Sequence, residues 1–397
     1  MGPTPAVRRI LKAFVINPAA DGRVEHYEPG YLLTSGTKIA RLSRDDPSGE
    51  FPDAEFIELK GQTILPGFVD AHVHLPQYAI MGKGSGELLT WLANYTFPEE
   101  ARFSDPEYAT RIADMFFDEM IANGTTTAAI YSSVHENATD IAFRTAQSKG
   151  IRAFIGKVMM DRDSPPPLQE DTEESIDVSV RLFDKWDGAE GGRLRYVFSP
   201  RFAGSCSMDL MTRVGRIAKD RKAFVQSHLS ENTEEVAMIR MIFPESPSYA
   251  GVYNSAGLLH ERSLMGHCIH LSADEIKMLA ATGTNAVFCP WSNRTLRSGS
   301  MPYHKLREAG VHIAMGTDIA GGPTLSMLQQ MEQGRAIAGV STDEALYLAT
   351  LAGAIALGID NEIGSLDPGK DADFVVLEGD TVAEVYVRGS QVYFMKP

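Results

Sequence analysis

Two histidines one residue apart, His72 and His74, close the stretch TILPGFVDAHVH over residues 63–74. Ile64, Leu65, Phe68 and Val69 before them read as a buried strand introduced by Pro66-Gly67. In an extended chain residues i and i+2 face the same way, so two imidazoles at a strand end can grip one metal ion. Other apolar runs finish on similar residues. AFVQSHLSE carries His228, SLMGHCIH carries His267 and HIAMGTD ends on Asp318. Histidines with one carboxylate make a nitrogen–oxygen set that suits zinc, with iron(II) second. Taken singly, each histidine reads as a hydrogen-bonded core residue and Asp318 as a turn residue. Their shared position at strand ends is what points to a metal. RYVFSPRF has no lysine that could be carboxylated to bridge two metals, and Lys157 lies mid-strand in RAFIGKVMMD, so one metal per chain is expected.

Glu231 follows His228 by three residues in SHLSE. If a helix starts just after the strand, this carboxylate hangs over the metal without ligating it and can carry protons for an activated water. The plainer reading is a surface glutamate in an acidic helix start, since Glu234 and Glu235 follow. His135 ends the TTTAAIYSSVH run and is expected at the mouth; His260, His270, His304 and His312 read as structural or exposed. Two other motifs lead nowhere. His26-Tyr27-Glu28 matches half of the zinc signature of the base-editing deaminases, but no Pro-Cys-x-x-Cys follows. GKGSGE (82–87) is glycine-rich but follows a loop, not a strand, so it is no phosphate cradle.

The elements that must position these residues alternate. Eight short apolar runs, rich in Val, Ile, Phe or Thr, are hydrophobic almost throughout, as strands buried on both faces are. Helical patterns lie between them. PEYATRIADMFFDEMIANG stops at Asn-Gly, and Ser272 stands three residues before Glu275 at capping-box spacing. This count is that of a (β/α)8 barrel, which brings all strand ends to one face; a doubly wound open sheet would spread them along a line. Both flanks alternate like half-exposed strands. The expected division is 1–62 and 364–397 forming one small β-sandwich around a catalytic barrel at 63–363, with SPPPLQEDTEES (164–175) a polar loop or linker.

Bulk properties narrow the partners. The chain has 397 residues, 44% of them hydrophobic, and a net charge of −15. That charge repels a phosphate backbone and no Lys/Arg run offers a local exception, so a small-molecule substrate is expected and nucleic acid is not. Cys206, Cys268 and Cys289 are too few and scattered for a disulfide framework, which fits the cytoplasm. No long apolar segment follows the basic pair near the N-terminus, so neither a signal peptide nor a membrane span is expected, and Ala6 stands where myristoylation wants Ser or Thr.

The stretches PGFVDAHVHLPQ, ELLTWLANYTFPEEARF, NGTTTA, SPRF, SHLSEN, HCIHLSADE, CPWSN, GTDIAGGPTLSML and IGSLDPGKDADFVVL resemble, in this order, the amidohydrolase superfamily of metal-dependent hydrolases. The LPQ, WLANYTFP and PRF segments resemble its guanine deaminase branch in particular. The resemblance covers nearly the whole chain. It implies one zinc held by His72, His74, His228 and Asp318, with His267 near the metal's water or the substrate. It also implies a purine pocket using His74, Leu75, Pro76, Gln77, Arg201, Phe202, His228, Glu231 and Asp318, and a homodimer. Zinc brings the pKa of a bound water from 15.7 toward ~7. Asp318 would take that water's proton as it attacks C2 of guanine. Glu231 would protonate N3 and then the departing amino group, giving xanthine and ammonia. His267 would steady developing charge, and Phe202, with Trp91 as a second candidate, would stack on the base. Arg201 can only donate, so it suits the acceptor edge of guanine's O6 and N7. Three departures stand out: Trp291 fills the variable place of CP-x-SN, and the chain is shorter than its relatives after Met327 and between Leu377 and Glu384. The competing readings are an aminohydrolase for a different purine, pyrimidine or triazine ring, which should lack the Gln77–Arg201 pair, and a non-catalytic assembly protein, which should have lost ligands.

Overall fold

The computed structural model describes residues 7–83 and 86–395. Ala6, and Gly84-Ser85 of the glycine-rich stretch, lie outside them. Eight parallel strands form the barrel: β1 (Phe68–His74), β2 (Thr125–Tyr131), β3 (Arg152–Gly156), β4 (Leu194–Pro200), β5 (Phe224–Leu229), β6 (Ser263–His267), β7 (Asn285–Phe288) and β8 (Ile313–Met315). Each pairs in parallel with the next along the chain. Closure falls to the residues after β8: the backbone N–H of Asp318 donates to the His72 carbonyl at 2.9 Å, and that of Thr317 to the Asp70 carboxylate at 3.0 Å. Barrel closure and the assembly of the strand-end residues are therefore one event.

The strand expected over 63–74 is two elements. Thr63–Pro66 belongs to a longer strand, Glu55–Pro66, in a second sheet, and β1 starts only at Phe68. Gly67 between them has no room for a side chain, since a Cβ there would sit 2.2 Å from the Thr126 hydroxyl. The second sheet joins both termini. Its seven strands form one hydrogen-bonded path in which Phe374–Glu378 pairs antiparallel with Glu55–Pro66. Leu11, Val15, Leu32, Ile64, Phe374 and Val376 make its core. Arg152, at the base of β3, ties the two parts together. It is buried and meets Glu362 and Asp371, each at 2.8 Å, and Asp371 also meets Lys38 of the terminal sheet at 2.7 Å.

The helices form where local signals place them. Asp105 caps Pro106–Ala122, which stops at Asn123 and Gly124, the glycine at φ +85°. Ser272 and Glu275 form the full capping box of Ala273–Thr282. The expected loop 164–175 is shorter than read from its composition. Asp171 caps a helix from Thr172 to Trp186, so only the proline-rich part stays irregular. Among the described residues no helix is long and apolar enough to cross a membrane.

Candidate active site

His72 and His74 leave the end of β1, His228 comes near the end of β5, His267 ends β6 and Asp318 follows β8. His74 Nε2 lies 3.3 Å from His72 Nε2 and 3.1 Å from His228 Nε2. Asp318 Oδ1 lies 3.4 Å from Nε2 of both His72 and His74. His267 approaches from the other side, its Nε2 3.8 Å from Asp318 Oδ2 and 3.4 Å from Glu231 Oε2. Ligating atoms of His72, His228, His267 and Asp318 all fall within 4.8 Å of one another.

Hydrogen bonds behind the rings set which nitrogen faces inward. His228 Nδ1 donates to the Arg201 carbonyl at 2.7 Å, and His267 Nδ1 to Asn293 Oδ1 at 2.8 Å. Each bond puts the proton on Nδ1 and leaves Nε2 a bare acceptor. His267 Nε2 is buried without a hydrogen-bond partner. Nε2 of His74 thus meets Nε2 of His72 at 3.3 Å and of His228 at 3.1 Å, a convergence of imidazole nitrogens that a shared cation would satisfy. Two ligands about 2.0–2.1 Å from a tetrahedral zinc stand roughly 3.3–3.4 Å apart, so the donor set fits such an ion. His74 Nδ1 has no hydrogen-bond partner. Its ring lies instead on Tyr131, with centroids 4.5 Å apart and planes 19° from parallel.

Close backbone approach is as important as the side chains. A Cβ on Gly266 would stand 2.6 Å from His72 Cε1, and one on Gly316 2.7 Å from His72 Cβ. The glycines of MGH and MGTD thus clear the space that His72 fills. His267 and Asp318 both hold left-handed backbone, at φ +70° and +48°. Such conformations are sparsely populated for non-glycine residues and persist where the surroundings over-determine them.

Burial and charge divide the carboxylates. Asp70 lies under the site with no exposed surface and accepts from Thr317 N–H and His72 N–H. Burial outweighs those bonds and pushes its pKa up to about 6. Burial also presses on Asp318, but hydrogen bonds from His72 and His74 prevail and hold it well below the usual carboxylate range. Ser292 donates to its second oxygen. Glu231 goes the other way: burial first, then the charges of Asp318 and Glu235, raise it well above an ordinary glutamate. The Ser298 hydroxyl donates to its Oε1 at 3.2 Å. Burial lowers His74 to about 4 and pushes His228 well below its ordinary value.

Beside this cluster opens a small, partly enclosed cavity. Gln77, Trp91, Arg201, Phe202 and Glu231 line it, as do His74, His228, His267 and Asp318. Leu75 and Pro76, expected among the pocket residues, are buried but do not line it. They form the first turn of a short helix that delivers Gln77, and Leu75 packs into the main core instead. His135 does not line the cavity, nor does Trp291, whose backbone N–H faces Gln330.

Several residues escaped the sequence reading. Glu100 accepts from both Gln77 and Arg201. It sits on a single turn, Phe97–Ala101, too short to show periodicity. Ser292 and Asn293 orient Asp318 and His267, and a polar pair one residue beyond Cys289-Pro290 was the available signal. Glu235, read as part of an acidic helix start, accepts the backbone N–H groups of Glu231 and Asn232 at 2.8 and 3.1 Å and so holds the turn that carries Glu231.

Residues 63–392 match the Amidohydrolase family. The chain belongs to the amidohydrolase family. Guanine deaminase of Escherichia coli (strain K12) is 37% identical to it over 359 residues, covering 88% of this chain and 81% of that protein. The solved E. coli guanine deaminase superposes with a TM-score of 0.92 at 31% identity, over 98% of this amidohydrolase and 100% of that chain. Guanine deaminase from C. acetobutylicum, solved with guanine bound in the active site, gives 0.90 at 31% identity over 97% and 100%.

Proposed function

We propose that this amidohydrolase is a guanine deaminase that converts guanine and water to xanthine and ammonia, in purine catabolism. The observation that carries the reading is the juxtaposition of the metal-type cluster of His72, His228, His267 and Asp318, with His74 against it, and a buried wall of Arg201 and Gln77 across one cavity. We assign one zinc per chain to His72, His74, His228 and Asp318. Asp318 turns Oδ1 toward His72 and His74 while its Oδ2 is taken by Ser292, which supports His267 as a neighbour of the site and not a primary ligand. Zinc, when bound there, supplies Lewis acidity that makes a water nucleophilic near neutral pH.

The chain's own groups do the rest. Asp318 accepts the proton of the attacking water. Glu231, kept protonated by its burial and its acidic neighbours, delivers its proton to ring N3, takes up the proton of the hydroxyl newly bound at C2 and passes that to the amino group as ammonia leaves; the proton held by Asp318 then restores Glu231. His267, held by Asn293 through Nδ1, turns Nε2 to the space that the Glu231 carboxyl faces, where it accepts a hydrogen bond from the attacking water and orients it. Arg201 and Gln77 hold the base's acceptor edge, and Phe202 and Trp91 cover its flat faces. The burial of these groups lowers the local dielectric and strengthens each of these interactions.

The same reading carries a homodimer in the cytoplasm. The buried free thiols of Cys206, Cys268 and Cys289 suit a reducing compartment, and light scattering of the purified protein tests the assembly. It also carries the division of the chain into terminal sheet and barrel, with the first boundary moved from Gln62 to Gly67, where the shared strand ends. The deciding assay incubates purified protein with guanine and follows the ultraviolet band to that of xanthine, alongside elemental analysis. About one zinc per chain with xanthine formation is expected. Guanine left unchanged by zinc-loaded protein refutes the activity, and two equivalents refute the single site.

A further inference from the structure

The wall that faces the cavity from Gln77 and Arg201 is held from behind by one side chain. Glu100 is 1% exposed, and Gln77 and Arg201 are each 2% exposed. Gln77 Nε2 donates to Glu100 Oε1 at 3.2 Å, and Arg201 Nη1 donates to Glu100 Oε2. The other end of the Gln77 amide is also taken, its Oε1 accepting the Ala320 backbone N–H at 2.9 Å. A backbone N–H can only donate, and a carboxylate facing a guanidinium can only accept. The amide is therefore fixed in one orientation. Among the described residues, what Gln77 has left without any partner is its second N–H, and Arg201 has no other side-chain acceptor.

We propose that Glu100 determines which base edge this pocket takes: by locking Gln77 against a flip and pairing Arg201, it makes the wall a row of donors that selects a purine with two adjacent acceptors. The inference rests on the purine reading above and deepens it. Gln77 on its own suits either a donor or an acceptor. With Glu100 behind it, a 6-carbonyl beside N7 meets donors, whereas a 6-amino group meets donor against donor. Glu100 acts through Gln77 and Arg201, so it is a positioning residue. A glutamine in its place offers both a carbonyl and an amino group, frees Gln77 to turn over, and leaves the guanidinium without its anion.

The test compares guanine with 2,6-diaminopurine, which keeps the 2-amino group and replaces the 6-carbonyl with a donor. Both are titrated by calorimetry into Glu231→Gln protein, in which guanine persists, with and without Glu100→Gln, and zinc content is measured on each. The expected result is a preference for guanine that narrows by about 10–100-fold in Glu100→Gln, the range for a lost hydrogen bond to a charged group, at unchanged zinc. A preference that stays the same in folded, zinc-loaded Glu100→Gln overturns the proposal. If that variant does not fold, Gln77→Met removes the locked N–H while keeping the Glu100–Arg201 pair, and must narrow the preference likewise. An unchanged preference there also overturns it. Xanthine formation by wild type is scored separately, so failure of the deaminase reading and failure of the edge selection are different results.

Discussion

Replacing Gly266 by alanine tests whether the strands of the barrel clear the space for the metal-type cluster. The added Cβ would lie 2.6 Å from His72 Cε1, where ordinary contact begins at 3.4 Å, so the ring must move by 3.4 − 2.6 = 0.8 Å. It has nowhere to go. His228 packs edge-on at 4.8 Å between ring centroids, Tyr131 at 4.9 Å, and Gly316 closes in on the His72 backbone. Overpacking of this kind costs about 1–3 kcal/mol. A displacement near 1 Å at the reacting centre costs on the order of 10²-fold in rate. Gly266→Ala is therefore expected to lose most of its zinc by elemental analysis and to retain about 1% of wild-type kcat/KM for guanine. Gly49→Ala serves as the control, because nothing lies within 4 Å of a Cβ there. Wild-type zinc and turnover in Gly266→Ala would show that His72 has room to spare and that close strand approach does not set the site.

Three other perturbations probe separate parts. Glu231→Gln keeps the shape but removes the transferable proton, so turnover should fall by ~10²–10⁴ while zinc and purine binding persist; near-normal turnover assigns the proton transfers elsewhere. Asn293→Ala removes the acceptor that fixes His267, and a loss of about 10–100-fold in kcat/KM is expected; an unchanged value denies His267 a part in the chemistry. Asp373 is buried away from the site, and burial, against the pull of Arg152, raises its pKa from 3.8 to about 6. Its folded pKa lies above the unfolded one, so the native state binds more protons between pH 4 and 6 and stability falls as pH rises through that window. A difference of roughly 2 pH units corresponds to about 3 kcal/mol at neutral pH. Thermal unfolding of Asp373→Asn should show higher stability at pH 7 and a flatter profile between pH 4 and 6; a profile parallel to wild type contradicts the assignment.

Local rules were enough for much of this protein. Strands buried on both faces must be apolar throughout, and helices need caps, so the alternation of β1–β8 with capped helices was legible along the chain, down to the Ser272–Glu275 box. His72 and His74 were legible as a pair because the two-residue period of a strand puts them on one face. His228, His267 and Asp318 were legible once the barrel was assumed, since that topology collects strand ends. What the tertiary structure decided are contacts between residues far apart in sequence that share no period. Glu100 meets Arg201 across 101 positions and Gln77 meets Ala320 across 243. Asp70 reaches Thr317 across 247, and Gly266 makes room for a ring 194 positions before it (266 − 72). Composition could not separate Glu100, which holds the pocket wall, or Glu235, which holds the turn of Glu231, from the neighbouring glutamates Glu99 and Glu234, which do neither. Side-chain type records what a residue is able to do, and only burial and the partners brought up by the closed barrel determine which of those things it does.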